Sequence, residues 1–267
     1  MDVHRDFLIA CIAATNAQGV TEYQSRRFST YTGSLRELRD WLLANDCKDV
    51  CMESTGKYWF PVHNILEESC HVVVSHPKFV KAIKGKKTDK KDAQWIADLF
   101  KHDLVRGSFI PPKDIRQLRD LCRYWVKLSS YMTGEKNRAQ NCLTVSNFKL
   151  DDVFSNVFGK SASAITTQLL EHPGEQFDVA PFVDGRCKTP IAQIQEAVDG
   201  IFTYEQAEKL KIIRGHMDSL ERHKAELESL ILEIAQNYLP QIELLLTVPG
   251  IHDAFTAIRI LAEIGAD

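Results

Sequence analysis

The chain has 267 residues, 44% hydrophobic and 26% charged, with a formal net charge of −3. That length buries a substantial core, with two domains expected, and no apolar run approaches the roughly 20 residues of a membrane span, which excludes a helical membrane protein. There is no secretory signal pattern at the start, and seven scattered cysteines form no disulfide framework in a chain this long, so reduced thiols and a cytoplasmic location are expected.

In chain order, Phe7 to Ala14 reads as a buried strand, Asn16 to Gly19 as a turn, and Val20 to Phe28 as the second arm of a hairpin. Ser34 is expected to cap a helix running to about Ala44, with Leu35, Leu38, Trp41 and Leu42 as its apolar stripe. Val50-Cys51-Met52 predicts a short strand ending at Glu53, followed by a helix from Lys57 to about Glu68 and a second short strand from His71 to Ser75. A hairpin followed by a strand-helix-strand crossover gives a mixed sheet with helices on its faces, an α/β fold. Asp2 falls on a first strand of almost no length, so the chain is expected to begin inside an element, with residues missing upstream. Cys47, Cys51 and Cys70-His71 lack the two-residue knuckle spacing of a structural zinc site.

The small net charge hides a strong local imbalance. Between Lys78 and Lys91 there are seven lysines against one acid, a local balance of +6 that leaves −9 for the rest. Lys84, Lys86, Lys87, Lys90 and Lys91 are therefore candidate phosphate contacts, as are Arg116, Arg119 and Arg123 on the helix that follows. The competing reading is a solvated loop and helix face.

Pro111-Pro112 sets a boundary before a helical pattern from Ile115 to about Leu143. Asp151 to Gly200, broken by several prolines and glycines, predicts short helices and loops and carries no chemical signal. Leu210, Ile213, Met217, Leu220, Lys224, Leu227, Ile231, Ile234 and Tyr238 then form a heptad seam with one polar insertion. The two helices form either an intramolecular antiparallel pair or a dimer seam; a homo-oligomer through this region is the expectation carried forward.

Four carboxylates stand out against this frame. Glu53 sits at a strand end, where open α/β sheets gather ligand-binding groups, and Gly56 beyond it lets backbone approach a ligand. Asp89 and Asp92, three residues apart, share one face of a helical turn, and Asp2 lies on the first strand. Carboxylates from separate elements suit a hard divalent cation acting on a phosphodiester, and nearby lysines suit the nucleic acid. For Asp89 alone, the competing reading is an ordinary acid in the first turn of a helix.

Asp2-Val-His-Arg-Asp6, Met52-Glu-Ser-Thr-Gly56 with Tyr58, His76-Pro77 before the lysines, and Lys87-Thr-Asp-Lys-Lys-Asp-Ala93 together resemble, in order and spacing over about the first hundred residues, the insertion-sequence transposases of the Piv-invertase type, the IS110 family. The resemblance implies a domain similar to RuvC and the ribonuclease H fold, with Asp2, Glu53, Asp89 and Asp92 as its DEDD catalytic set binding Mg²⁺, Mn²⁺ being an alternative. It also implies DNA as partner, an element-encoded RNA that guides target choice, and a bacterial or archaeal host. A second stretch, Leu246-Thr-Val-Pro-Gly-Ile251 with the helix after it, resembles the start of that family's second domain, a helix-hairpin-helix-like turn in which Gly250 would offer a backbone amide to phosphate. His252 stands where a second glycine is common.

The expected organisation is a RuvC-like DEDD catalytic domain over 1–110, a helical linker or coiled-coil region over 111–240, and over 241–267 the start of an incomplete C-terminal transposase domain. In the family a nucleophilic serine follows that hairpin, so the chain is expected to be a fragment truncated at both ends and inactive alone, with its serine beyond residue 267. The expected activity is Mg²⁺-dependent DNA cleavage and rejoining. Two rivals are a junction-resolving nuclease with the same carboxylates and a non-catalytic coiled-coil nucleic-acid-binding module.

Overall fold

A computed structural model describes residues 1–80 and 88–266, so Lys84, Lys86 and Lys87 lie outside the described residues. The chain divides into two compact units, Met1–Ile110 and Pro111–Asp267. No helix among the described residues is long and apolar enough to cross a membrane.

The first unit is mixed α/β. Strands β1 (Asp2–Val3), β2 (Phe7–Thr15) and β3 (Thr21–Ser29) form an antiparallel meander, with Asp2 opposite Ile9 and Phe7 opposite Ser29. The β2–β3 turn is built by Asn16, whose side-chain oxygen accepts the N–H groups of Gln18 and Val20 at 3.1 and 2.9 Å, while Gly19 takes the left-handed φ of 78°. Helix α1 (Thr32–Ala44) leads to β4 (Asp49–Glu53), and helix α2 (Trp59–Leu66) crosses over to β5 (His71–Ser75), parallel to β4. The Met1 amino group donates to the Cys51 carbonyl at 2.7 Å, joining the start of β1 to β4.

β4 is buried on both faces, which explains its unbroken apolar run. Val50 and Met52 pack with Leu35, Leu38 and Leu42 of α1 and with Val62 and Leu66 of α2. Cys51 points the other way, against Val80 at the end of α3 (Pro77–Val80) and Ile96 of α4 (Asp89–Lys101). Helices thus cover both faces of β4, and the strands form two sheets, the antiparallel β1–β2–β3 and the parallel β4–β5 pair, in place of the single mixed sheet expected. Two expected boundaries differ. α1 begins at Thr32, and the Ser34 hydroxyl instead accepts the Ser29 N–H at 3.1 Å, closing the end of β3. α2 is shorter than the pattern from Lys57 to Glu68 implies.

The second unit is helical. α5 (Lys113–Val145) and α9 (Tyr204–Ala235) run antiparallel: Asp114 meets Tyr238 just beyond α9, Trp125 donates to Glu228 at 2.7 Å, and Glu135 meets His216 at 3.1 Å, so one helix recedes as the other advances. Between them, short helices α6 (Leu150–Val153), α7 (Lys160–Glu171) and α8 (Ile191–Ala197) pack a core with Cys142, Leu143, Leu210 and Ile213. At the other end, α10 (Leu239–Leu246) and α11 (Ala254–Ile264) pack a second core with Ile115, Leu118, Leu227 and Ile231.

The heptad seam packs inside the chain, on α5 and the helices around it, as the intramolecular antiparallel pair that the sequence allowed. Its polar insertion, Lys224, is accommodated by laying its ammonium 4.3 Å from the centre of the Trp125 ring.

Candidate metal centre

The site forms where β1 meets the start of α4. Strand alternation sends Val3 into the core and leaves Asp2 and His4 on the opposite side. The chain then turns tightly, the His4 N–H donating to the Phe7 carbonyl at 2.9 Å, and the imidazole lies against the Phe7 ring with centroids 4.7 Å apart.

α4 supplies the facing acids. Its N-cap is Thr88, whose hydroxyl accepts the Lys91 N–H at 3.4 Å, and both Asp89 and Asp92 stand in the first turn, where the helix dipole favours carboxylates. Asp89, Asp92, Ala93 and Ile96 follow the i, i+3, i+4, i+7 rule, and the last two are buried. The acids therefore share the helix face that carries the buried stripe, Asp92 half-buried and Asp89 exposed at its start, as are Lys90 and Lys91. At the other end of α4, Tyr23 donates to Asp98 and Lys101 to Thr21 at 2.6 Å, which ties the helix to β3.

Among the described residues, one group of potential ligand atoms converges: a carboxylate oxygen of Asp2, a ring nitrogen of His4 and a carboxylate oxygen of Asp89, all within 4.8 Å of one another. His4 Nε2 lies 3.1 Å from Asp2 Oδ2 and 3.9 Å from Asp89 Oδ1. Burial raises the Asp2 carboxyl above the usual aspartate range; His4 opposes this and the charges of Asp92 and Asp89 add to it. Burial that makes the Asp2 carboxylate costly to ionise is a penalty that a cation would relieve.

Glu53 and Asp92 stand outside the converging group. Glu53 ends β4 on the same side of the sheet as Cys51, by strand alternation, and accepts a 2.8 Å hydrogen bond from the Thr55 hydroxyl. Gly56, in the turn beyond, takes φ 54°. His4 was missing from the expected set. The signal for it was the Asp-x-His spacing, which on a strand places both side chains on one face.

The donor chemistry fits a divalent cation. Two neighbouring ligands of an octahedral ion bound at 2.0–2.1 Å lie about 3 Å apart and two opposite ones about 4 Å; the separations from His4 are 3.1 and 3.9 Å within a group spanning up to 4.8 Å, so an ion would draw the three donors together.

The arginines expected on phosphates have partners within their own unit. Arg119 donates to the carbonyls of Ala262 and Glu263 at 2.7 and 3.1 Å, capping the end of α11, and Arg123 grips the Glu263 carboxylate. Arg116 donates to the Pro111 carbonyl at 2.9 Å. Gly250 takes φ 97° in the turn Val248-Pro-Gly-Ile251, closed by the Ile251 N–H on the Val248 carbonyl at 3.1 Å, a geometry that favours proline second and glycine third. Asp253 then caps α11 through the Thr256 N–H at 2.8 Å.

A family model described as a transposase, of the DEDD IS110 type, matches residues 1–147, more than half of the chain. The chain belongs to the DEDD IS110 transposase family. The match spans the α/β unit and the whole of α5. A comparison with curated proteins found no match. Membership in a transposase family means a DNA-binding protein of the class that cleaves and rejoins DNA, and DEDD transposases typically depend on a divalent metal. The Asp2, His4 and Asp89 group lies inside the matched residues.

Proposed function

We propose that the protein is the transposase of a mobile insertion sequence, cutting and rejoining DNA at a divalent-metal site held by Asp2, Glu53, Asp89 and Asp92 in a RuvC-like domain. The observation that carries this reading is the convergence of Asp2 and Asp89, from elements far apart in sequence, on one point within the family-matched residues. The antiparallel meander, the parallel strand pair and the helices on both faces of β4 support the ribonuclease H comparison.

Asp2 and Asp89 would bind the ion directly, with Asp92 one turn along α4 and Glu53 at the end of β4 completing the set. A bound Mg²⁺ supplies Lewis acidity toward a phosphodiester oxygen and lowers the pKa of coordinated water. The chain's own contribution is position. β1 and α4 set the partly buried Asp2 against the exposed Asp89, the Thr55 hydroxyl holds one Glu53 oxygen, and Lys90 and Lys91 present charge to the DNA backbone beside them. The lysines over 84–87 extend that charge in sequence. Family resemblance further supports guidance by an element-encoded RNA, under which base pairing would carry sequence choice and protein contacts would follow backbone shape.

A cellular recombination assay with the complete marked element tests the reading. Asp89→Asn and Glu53→Gln should each abolish joined products without reducing protein level. Free cut ends from the unaltered protein, without joined ones, would favour a junction-resolving nuclease, and full recombination by the double variant would remove the site.

A further inference from the structure

Because no established role of the carboxylate set accounts for His4, we propose that its Nε2 is itself a ligand of the metal bound by Asp2 and Asp89, making this a mixed nitrogen and oxygen site that favours Mn²⁺ over Mg²⁺. The inference rests on the metal-site reading above and deepens it.

Three observations carry it. First, the same ring nitrogen is within reach of both carboxylates, hydrogen-bonded to Asp2 Oδ2 at 3.1 Å and 3.9 Å from Asp89 Oδ1, so an ion replacing that hydrogen bond would meet the nitrogen and both acids together. Second, the ring is held from the side. The tight turn bonding His4 N–H to the Phe7 carbonyl fixes its backbone, Phe7 lies against the imidazole, and the Arg27 guanidinium sits 4.0 Å from the centre of the Phe7 ring. The ring is thus positioned before any ion arrives, which lowers the ordering cost of coordination. Third, the donor set discriminates by chemistry. Magnesium prefers oxygen and water and dehydrates reluctantly, while Mn²⁺, although the weakest binder of the first-row series, shares magnesium's taste for carboxylates and accepts an imidazole nitrogen beside them more readily. Asp2 and Asp89 alone would make an all-oxygen site.

The test is pulsed electron paramagnetic resonance on Mn²⁺ bound to the full chain, alongside Mn²⁺ and Mg²⁺ titrations of the unaltered protein and of His4→Gln, with thermal unfolding confirming that the variant folds. The expected result is a ¹⁴N modulation from directly bound imidazole, absent in His4→Gln. Mn²⁺ affinity should fall about tenfold or more in the variant, with a smaller change for Mg²⁺. Mn²⁺ binding that depends on Asp89 but shows no nitrogen modulation overturns this inference and leaves the carboxylate site standing. Mn²⁺ binding indifferent to Asp2→Asn and Asp89→Asn overturns both. If His4→Gln fails to fold, the ¹⁴N signal of the unaltered protein, narrowed by ¹⁵N-histidine labelling, decides alone.

Discussion

The guanidinium of Arg123 holds the carboxylate of Glu263 through two hydrogen bonds of 2.7 Å, tying α5 to the last turn of α11 across 140 residues of sequence. This hydrogen bonding lowers the Glu263 carboxyl below the usual glutamate range. Both side chains are substantially exposed, so solvent screens the pair and Arg123→Ala should cost only about 0.2–1 kcal/mol. The folded pKa lies below the unfolded one, so the contribution is complete above the ordinary glutamate value of about 4.3 and fades as pH falls through the lower folded value. Urea denaturation should show a constant gap between Arg123→Ala and the unaltered protein near neutrality that closes in acid.

Asp2 has the opposite sign. Its folded pKa is raised, chiefly by burial, so stability is lost as pH climbs from the unfolded value, about 3.9, through the folded one and is flat beyond. Without divalent ion, Asp2→Asn should therefore raise the Tm at neutral pH and flatten its dependence across the acid range, as read by thermal melts with chelator present. A site built for a cation is destabilising without it.

Lys90 and Lys91 are exposed beside the carboxylates. If they contact phosphates, Lys90→Ala and Lys91→Ala should each reduce the slope of log affinity for duplex DNA against log salt by about one, uniformly across sequences. Arg123→Ala should leave the slope unchanged, since its donors go to Glu263. Fluorescence anisotropy at several salt concentrations checks both.

Leu118 is fully buried where α5 meets α9 and the terminal helices. Leu118→Ala should cost about 2–5 kcal/mol in a urea melt, the usual range for opening a cavity in a packed core.

Much of this architecture was readable from periodicity. The strand from His71 to Ser75 and the helix from Ile115 to Leu143 stand where their patterns place them, because alternation and the 3.6-residue repeat are local properties. That Asp89 and Asp92 share one face of a helical turn was legible for the same reason. What stayed hidden depended on partners distant in sequence. The partners that Arg119 and Arg123 find on α11 lie some 140 residues away, and the α9 seam reads alike for one chain or two. Ser34 has the chemistry of a helix cap, yet its hydroxyl lies nearer the end of β3. His4 acquires its meaning only once α4 brings Asp89 to it.

The most direct measurement is thermal unfolding of the chain while Mg²⁺ is titrated, for the unaltered protein and for the Asp2→Asn/Asp89→Asn double variant. An ion that binds only the folded state stabilises it in proportion to the logarithm of its concentration once above the dissociation constant. The account predicts a rising Tm in the unaltered protein and a flat one in the double variant; equal rises in both would contradict it.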